Sequence, residues 1–197
     1  MRRLSFILGG PCSGKGYFAR KLCEYGAGRI YGISAGDLIR KEVERKGKNH
    51  ELIEEILLKG QIIPAAITTD LLLAEISAAS ATHPGLRHFL VDGFPRNQEN
   101  YEEYMKRRAS FPELHSVFHV ECSLDTMRKR LSSRSQEEKR SDDKEAIFQR
   151  RLEVFQRDTV PVIDAFRLAK VPVKRIQSDT AASEYEALIS KIAKTLA

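Results

Sequence analysis

The run Gly9-Gly10-Pro11-Cys12-Ser13-Gly14-Lys15 constrains this chain more than any other segment. A short apolar stretch, Leu4-Ser5-Phe6-Ile7-Leu8, precedes it, and a segment with helical patterning, Gly16 to Tyr25, follows. Strand, glycine loop and helix in that order make a cradle for an anion. Glycines let the backbone fold tightly, so that several N–H groups converge on one point. The helix N-terminus adds unpaired N–H groups and a partial positive charge. Lys15 then reaches the β- and γ-phosphates of a nucleoside triphosphate. A plain glycine turn is the simpler reading, but it needs neither glycine at both fixed positions nor lysine directly after the second. The next residue is Gly16, where most such loops carry a Ser or Thr hydroxyl for magnesium. A metal here must be held by phosphate oxygens, waters and a carboxylate from elsewhere.

Apolar strand patterns alternate with helical ones along the rest of the chain. Strands are expected at about 3–9, 30–34, 89–91, 117–120 and 171–176. Helices are expected at about 15–25, 37–46, 49–59, 65–80, 98–108, 124–133, 143–156, 158–169 and 182–196. Leu52, Ile53, Ile56 and Leu57 recur with helical period, and Pro64 marks a turn. Such alternation predicts an α/β fold of three layers, with a five-stranded parallel sheet covered on both faces. Ligands of such sheets bind at the carboxyl ends of the strands. The glycine loop, Ser34, Asp92 and Cys122 all fall there, so they should share one edge.

The chain has 197 residues, which fits one domain with small insertions. No apolar run approaches the ~20 residues of a membrane span. Met1-Arg2-Arg3 enters the first strand directly, so no signal peptide is visible, and the cytoplasm is expected, with nuclear entry open at this size. Cys12, Cys23 and Cys122 are an odd count without metal-like spacing, which points to a reducing compartment. The net charge of +6 admits nucleic-acid binding as one reading. Acidic residues are interspersed, however, and arginines concentrate between Arg128 and Arg157 instead. Beside a phosphate loop, such a cluster is better suited to neutralising nucleotide phosphates. Small-molecule nucleotides are therefore the expected partners, with no nucleic acid, no membrane and a monomeric chain.

Three further motifs carry chemistry. Phe89-Leu90-Val91-Asp92 is an apolar strand ending in a carboxylate, which can orient magnesium-bound water beside the loop; Gly93-Phe94-Pro95-Arg96 follows. Ser34-Ala35-Gly36-Asp37-Leu38-Ile39-Arg40 opens a helix and carries an arginine. Arg134 and Arg140 bracket a polar stretch, Asp142 and Asp143 follow, and Arg151 sits on the next helix. Phosphoryl transfer spreads charge over the migrating oxygens, so converging arginines are the help that chemistry requires.

Together the four motifs resemble those of the nucleoside monophosphate kinases, the adenylate kinase and UMP/CMP kinase family. The resemblance runs from about residue 4 to 195 and is strongest to the eukaryotic-type UMP/CMP kinase branch. Phe94-Pro95-Arg96-Asn97-Gln98-Glu99-Asn100 and Arg140-Ser141-Asp142-Asp143 carry it. Ala35 stands where adenylate kinases usually have Thr, and Asn100 where they have a Gln that reads adenine. The resemblance implies ATP with Mg2+ as donor, on Gly10, Cys12, Ser13, Gly14, Lys15, Gly16 and the Tyr17 amide, with Arg130 flanking the base and backbone of about 177–182 behind it. It implies UMP or CMP as acceptor. Lys15, Arg134 and Arg140 would hold the migrating group. Arg40, Arg96 and Arg151 would clamp the acceptor phosphate, and Asn100, helped by Asn97, would read the pyrimidine edge beside Ala35. Asp142 and Asp143 would help close a short lid at about 134–143, opposite an acceptor-binding segment at about 34–66. Asp92 would hold the metal through water. No CxxC pair occurs in the lid, so no structural zinc is expected.

The chain also departs from the family. The loop ends Gly14-Lys15-Gly16-Tyr17-Phe18 where the family usually has Gly-Lys-Gly-Thr-Gln, so a hydroxyl near the α-phosphate is lost. Cys12 replaces a frequent Gly, which requires a backbone conformation that an L residue can adopt. An adenylate kinase carrying Ala35 and Asn100 is the nearest alternative. A catalytically weak nucleotide-binding regulator, motivated by Tyr17 and Phe18, is a further one.

Overall fold

The structure is a computed structural model that describes residues 1–59, 61–137 and 145–197, without the side chains of 134–137. Five strands form, β1 Arg3–Leu8, β2 Ile30–Ser34, β3 His88–Asp92, β4 Glu113–Glu121 and β5 Val173–Gln177. All pair in parallel, in the order β2-β3-β1-β4-β5. Parallel neighbours need crossovers, and the crossover helices bury both faces. The expected five-stranded parallel sheet between helical layers is thus borne out. The strand order reverses around β1, and the glycine loop leaves its carboxyl end at that switch point.

The helices are α1 Lys15–Tyr25, α2 Ala35–Glu44, α3 His50–Leu58, α4 Ala65–Thr82, α5 Gln98–Lys106, α6 Leu124–Glu137, α7 Glu145–Val154, α8 Val160–Leu168 and α9 Ala182–Leu196. Side chains of β1 alternate between two cores, as the pleat dictates. Leu4, Phe6 and Leu8 pack with Leu72 and Ile76 of α4, Tyr104 of α5 and Phe166 of α8. Ile7 packs with Phe18 and Leu22 of α1 and Ile189 of α9. The Phe6 ring meets Tyr104 edge-on at 5.0 Å and Phe166 at 5.7 Å. Each such pair adds about 0.5–1.5 kcal/mol beyond area burial. A separate small core of Ile39, Ile53 and Ile63, with Val43, Ile56, Leu57, Ile67 and Leu71, ties α2 and α3 to the start of α4.

Two boundaries differ from expectation for physical reasons. Strand β4 starts at Glu113 rather than near 117. Its Ser116 can be fully buried because Ser5 Oγ lies 2.9 Å from Ser116 Oγ and also from His88 Nε2, so each hydroxyl of the polar row has a partner. Helices α7 and α8 do not part near residue 157 but join through a π-helical turn, Phe155–Thr159, with the Val160 N–H donating to the Phe155 carbonyl. Pro161 has no N–H and its ring crowds the carbonyl four residues back, and the wider turn absorbs both faults.

Candidate active site

The glycine loop is closed by its own groups. Ser13 N–H donates to the Gly10 carbonyl at 3.3 Å, and Lys15 Nζ donates to the same oxygen at 2.6 Å. A Cβ on Gly9 would stand 2.3 Å from the Val120 carbonyl, so close passage of the loop under β4 demands glycine. Cys12 has φ 55 and Gly14 φ 92, both left-handed. The first lies in the small region open to L residues, at a cost of roughly 1–2 kcal/mol. Cys12 also packs against Met127, Leu131, Phe148 and Leu152. Burial pushes the Lys15 ammonium down to about 8, Asp92 pulls it back up, and Arg96 and Arg151 repel it. Ser13 Oγ is buried with no hydrogen-bond partner among the described residues.

Beside the loop, β3 ends on Asp92, and the chain turns at Gly93 with φ 79. A Cβ there would fall 2.8 Å from Arg96 Nη2, and Arg96 Nε donates to the Gly93 carbonyl at 2.7 Å. Arg96 is anchored twice more. Its N–H donates to Asn100 Oδ1 at 3.2 Å, and its carbonyl accepts from Thr159 Oγ1 at 2.6 Å. Burial raises the Asp92 carboxyl above its ordinary range, while Lys15 and Arg96 pull it down.

These elements open onto a cleft of about 940 Å³, counted to its open mouth. Lys15, Arg40, Arg96, Asn100 and Arg151 all line it, although they come from four separate stretches of sequence. Ser34 caps α2 by accepting the Asp37 N–H at 3.1 Å, and Arg40, one turn on, pairs with the Asp37 carboxylate. The opposite wall is Leu57, Gln61, Ile62, Ile63 and Thr68. Asn100 is 1% exposed, and its Nδ2 has no hydrogen-bond partner among the described residues.

Several expected residues stand elsewhere. Asn97 does not line the cleft; its side chain accepts the Asn100 N–H at 2.8 Å and caps α5, which the sequence Asn97-Gln98-Glu99-Asn100 makes the favoured use. Ala35 is 1% exposed and packs in the main core, while its neighbour Gly36 faces the cleft. The Tyr17 ring is drawn onto α9, where it stacks on Tyr185 at 6.1 Å and its hydroxyl donates to Glu186. Gly16 is exposed in the first turn of α1. Arg134 belongs to α6 by its backbone alone, and Arg140, Asp142 and Asp143 lie outside the described residues, as does most of the expected lid.

The structure adds residues that the sequence did not single out. Thr159 and Phe155 of the π turn line the cleft, and Glu99 Oε1 accepts the Ala65 N–H at 3.1 Å, tying α4 to α5. On the other side of the loop, Arg130 donates to Ser178 Oγ at 2.9 Å and to the Ser178 carbonyl at 2.7 Å. A lone hydroxyl has no sequence signature, so the side-chain roles of Thr159 and Ser178 could be found only in three dimensions; the family resemblance implies only backbone at about 177–182 behind the donor base.

The residues fit a magnesium ion. Asp92 Oδ1 is buried and has no hydrogen-bond partner among the described residues, leaving it free to accept from a metal-bound water. No cluster of three His, Cys, Asp or Glu side chains occurs among the described residues. Mg2+ characteristically takes one or two carboxylates plus substrate phosphates and waters, so one such group suffices. Among the described residues no helix is long and apolar enough to cross a membrane.

A family model described as adenylate kinase matches residues 7–171. UMP-CMP kinase of Gallus gallus is 33% identical over 182 residues, covering 91% of this chain and 90% of that protein. Adenylate kinase isoenzyme 1 of Oryctolagus cuniculus is 35% identical over 178 residues, covering 90% and 87%. Adenylate kinase isoenzyme 5 of Mus musculus is 32% identical over 178 residues, and there the chain spans 30% of the relative's length. A match that takes in the loop, the Asp92 strand end and the arginines of the cleft alike means that the chain belongs to the adenylate kinase family, as a nucleoside monophosphate kinase with ATP as donor and Mg2+ as its metal.

Proposed function

We propose that the acceptor is a pyrimidine nucleoside monophosphate, so that ATP and UMP or CMP become ADP and UDP or CDP. The observation that carries this is the unspent amide of Asn100 in the cleft wall. Its Nδ2 can donate to the cytosine N3 or the uracil O4, and its Oδ1 keeps one lone pair after accepting from Arg96. In a closed site a base of the wrong edge leaves buried polar groups unpaired, at about 1–3 kcal/mol each. UMP-CMP kinase of Gallus gallus, matched along nine-tenths of its length, supports the reading.

In this account the chain acts as one kinase domain over residues 1–197. Residues of about 34–66 bind the acceptor, supported by their own small core. Residues of about 134–143 cover the reacting groups and exclude water, which would otherwise take the phosphoryl group. Arg40, Arg96 and Arg151 hold the acceptor phosphate, Arg40 exchanging Asp37 for it. Lys15, Arg134 and Arg140 stabilise the migrating group, and Asp142 and Asp143 hold the lid closed. The loop residues Gly10, Cys12, Ser13, Gly14, Gly16 and Tyr17 offer backbone N–H groups to the donor, and Arg130 flanks its base. Magnesium, held by Asp92 through water and by the donor's phosphates, offsets their negative charge. Three cysteines outside any disulfide fit a reducing cytoplasm, and the reading needs neither a second copy nor a nucleic acid.

An adenylate kinase is the second reading, favoured by the 35% identity to adenylate kinase isoenzyme 1. Asn100→Gln tests between them. One methylene carries the amide beyond the edge of a single-ring base, so the ratio of kcat/KM for CMP over AMP should fall about tenfold or more. An unchanged ratio contradicts the role given to Asn100. Ala35→Thr would bury a hydroxyl in the core, so the single substitution is the cleaner experiment.

A further inference from the structure

We propose that Ser178 is a positioning residue for the phosphate donor, holding both the glycine loop and Arg130 in the geometry that receives it. Ser178 is 4% exposed and sits just past β5, where its N–H donates to the Glu121 carbonyl of β4 at 2.9 Å. Its hydroxyl donates to the Ser13 carbonyl at 2.6 Å, across 165 residues of chain. The same oxygen accepts from Arg130 Nη1 at 2.9 Å, and the Ser178 carbonyl accepts from Arg130 Nη2 at 2.7 Å. One buried side chain therefore joins the loop to the arginine.

The Ser13–Gly14 peptide is the sensitive point. A trans peptide is planar, with its carbonyl and N–H on opposite sides. Holding the Ser13 carbonyl toward Ser178 fixes the Gly14 N–H on the side opposite Ser178. Gly14 has φ 92, and a glycine reverses such a peptide at little cost, so the loop's own sequence does not fix this amide. Arg130 Nη1 would stand 3.0 Å from a Cβ on Gly14, so the guanidinium is held directly beside that residue. Binding is stronger when such donors are set in advance rather than ordered by the ligand.

The inference rests on the reading that the donor's phosphates occupy the Gly9–Lys15 loop, and the test separates the two. Calorimetric affinities for ATP, inorganic tripolyphosphate and CMP are measured on folded wild type, Ser178→Ala, Ser178→Cys and Lys15→Ala. Ser178→Ala should raise the Kd for ATP about tenfold, the size of one lost buried hydrogen bond or two. The Kd for tripolyphosphate should rise as well, by a smaller factor, because it has no base for Arg130. That for CMP should stay within about twofold, which a general loss of structure would not allow. Ser178→Cys, a weaker donor, should fall between wild type and Ala, and it decides the matter if the Ala variant does not fold. Unchanged ATP affinity in the Ser178 variants, with weakening in Lys15→Ala, overturns the inference and keeps the loop reading. Unchanged affinity in Lys15→Ala too overturns the loop reading itself. Equal weakening of ATP and CMP also overturns the inference, and an effect on ATP without one on tripolyphosphate overturns its loop half.

Discussion

Replacing His88 with Gln should flatten the acid limb of this protein's stability. His88 is fully buried in the sheet, its Nε2 is 2.9 Å from Ser5 Oγ, and its Nδ1 has no hydrogen-bond partner among the described residues. Burial, helped by repulsion from His115, Arg3 and Lys174, pushes the ring down to about 3. The depressed value means that the folded protein holds the neutral ring while the unfolded chain, with a pKa near 6.5, takes up a proton first. Stability is then complete above pH 6.5 and is lost as the pH falls from there toward 3. At pH 5 the loss is about 2 kcal/mol, and that figure hardly changes if the folded value is a unit higher, since both lie well below pH 5. Gln keeps a donor and an acceptor but does not titrate. Urea unfolding at pH 7.5 and 5.0 gives the double difference directly. Wild type should lose about 2 kcal/mol more than His88→Gln over that interval, while His115 and His119 titrate in both proteins and cancel. A double difference below about 0.5 kcal/mol would mean that His88 is hydrated or protonated in the fold rather than buried neutral.

Two further outcomes follow from the site. For Lys15, held near 8 by burial, only the charged form serves the donor, so kcat/KM for ATP should fall as the pH rises through about 8, and a profile flat to pH 9.5 would contradict the burial argument. Thr159→Val removes the hydroxyl that holds the Arg96 carbonyl at 2.6 Å, and it should raise the acceptor KM severalfold, cost about 1 kcal/mol of stability and leave the ATP KM unchanged; an equal rise in both KM values would show a general rather than a local effect.

The parts of this molecule legible in the sequence are those whose chemistry is local. The glycine loop names itself by glycines at Gly9, Gly10 and Gly14, of which Gly9 and Gly14 meet a real steric or left-handed demand. Strands and helices follow from periodicity, and Asp92 from its place at an apolar strand end. Residues whose roles are set by distant neighbours could not be read. Ser116 looks like a loop residue until Ser5, 111 positions away, buries it in β4. Asn97 and Asn100 carry the same amide, and only the cap geometry shows that Asn97 is spent on α5 while Asn100 keeps a donor. The π turn escaped because Pro161 disturbs a helix from downstream, and periodicity alone marks that as a break.

Whether the acceptor is a pyrimidine nucleotide is decided by initial rates with Mg2+ and ATP on CMP, UMP, AMP and GMP. For CMP or UMP, kcat/KM should be at least about tenfold above that for AMP and GMP, the discrimination expected from one mismatched buried base edge. AMP as the best acceptor would contradict it and make the chain an adenylate kinase.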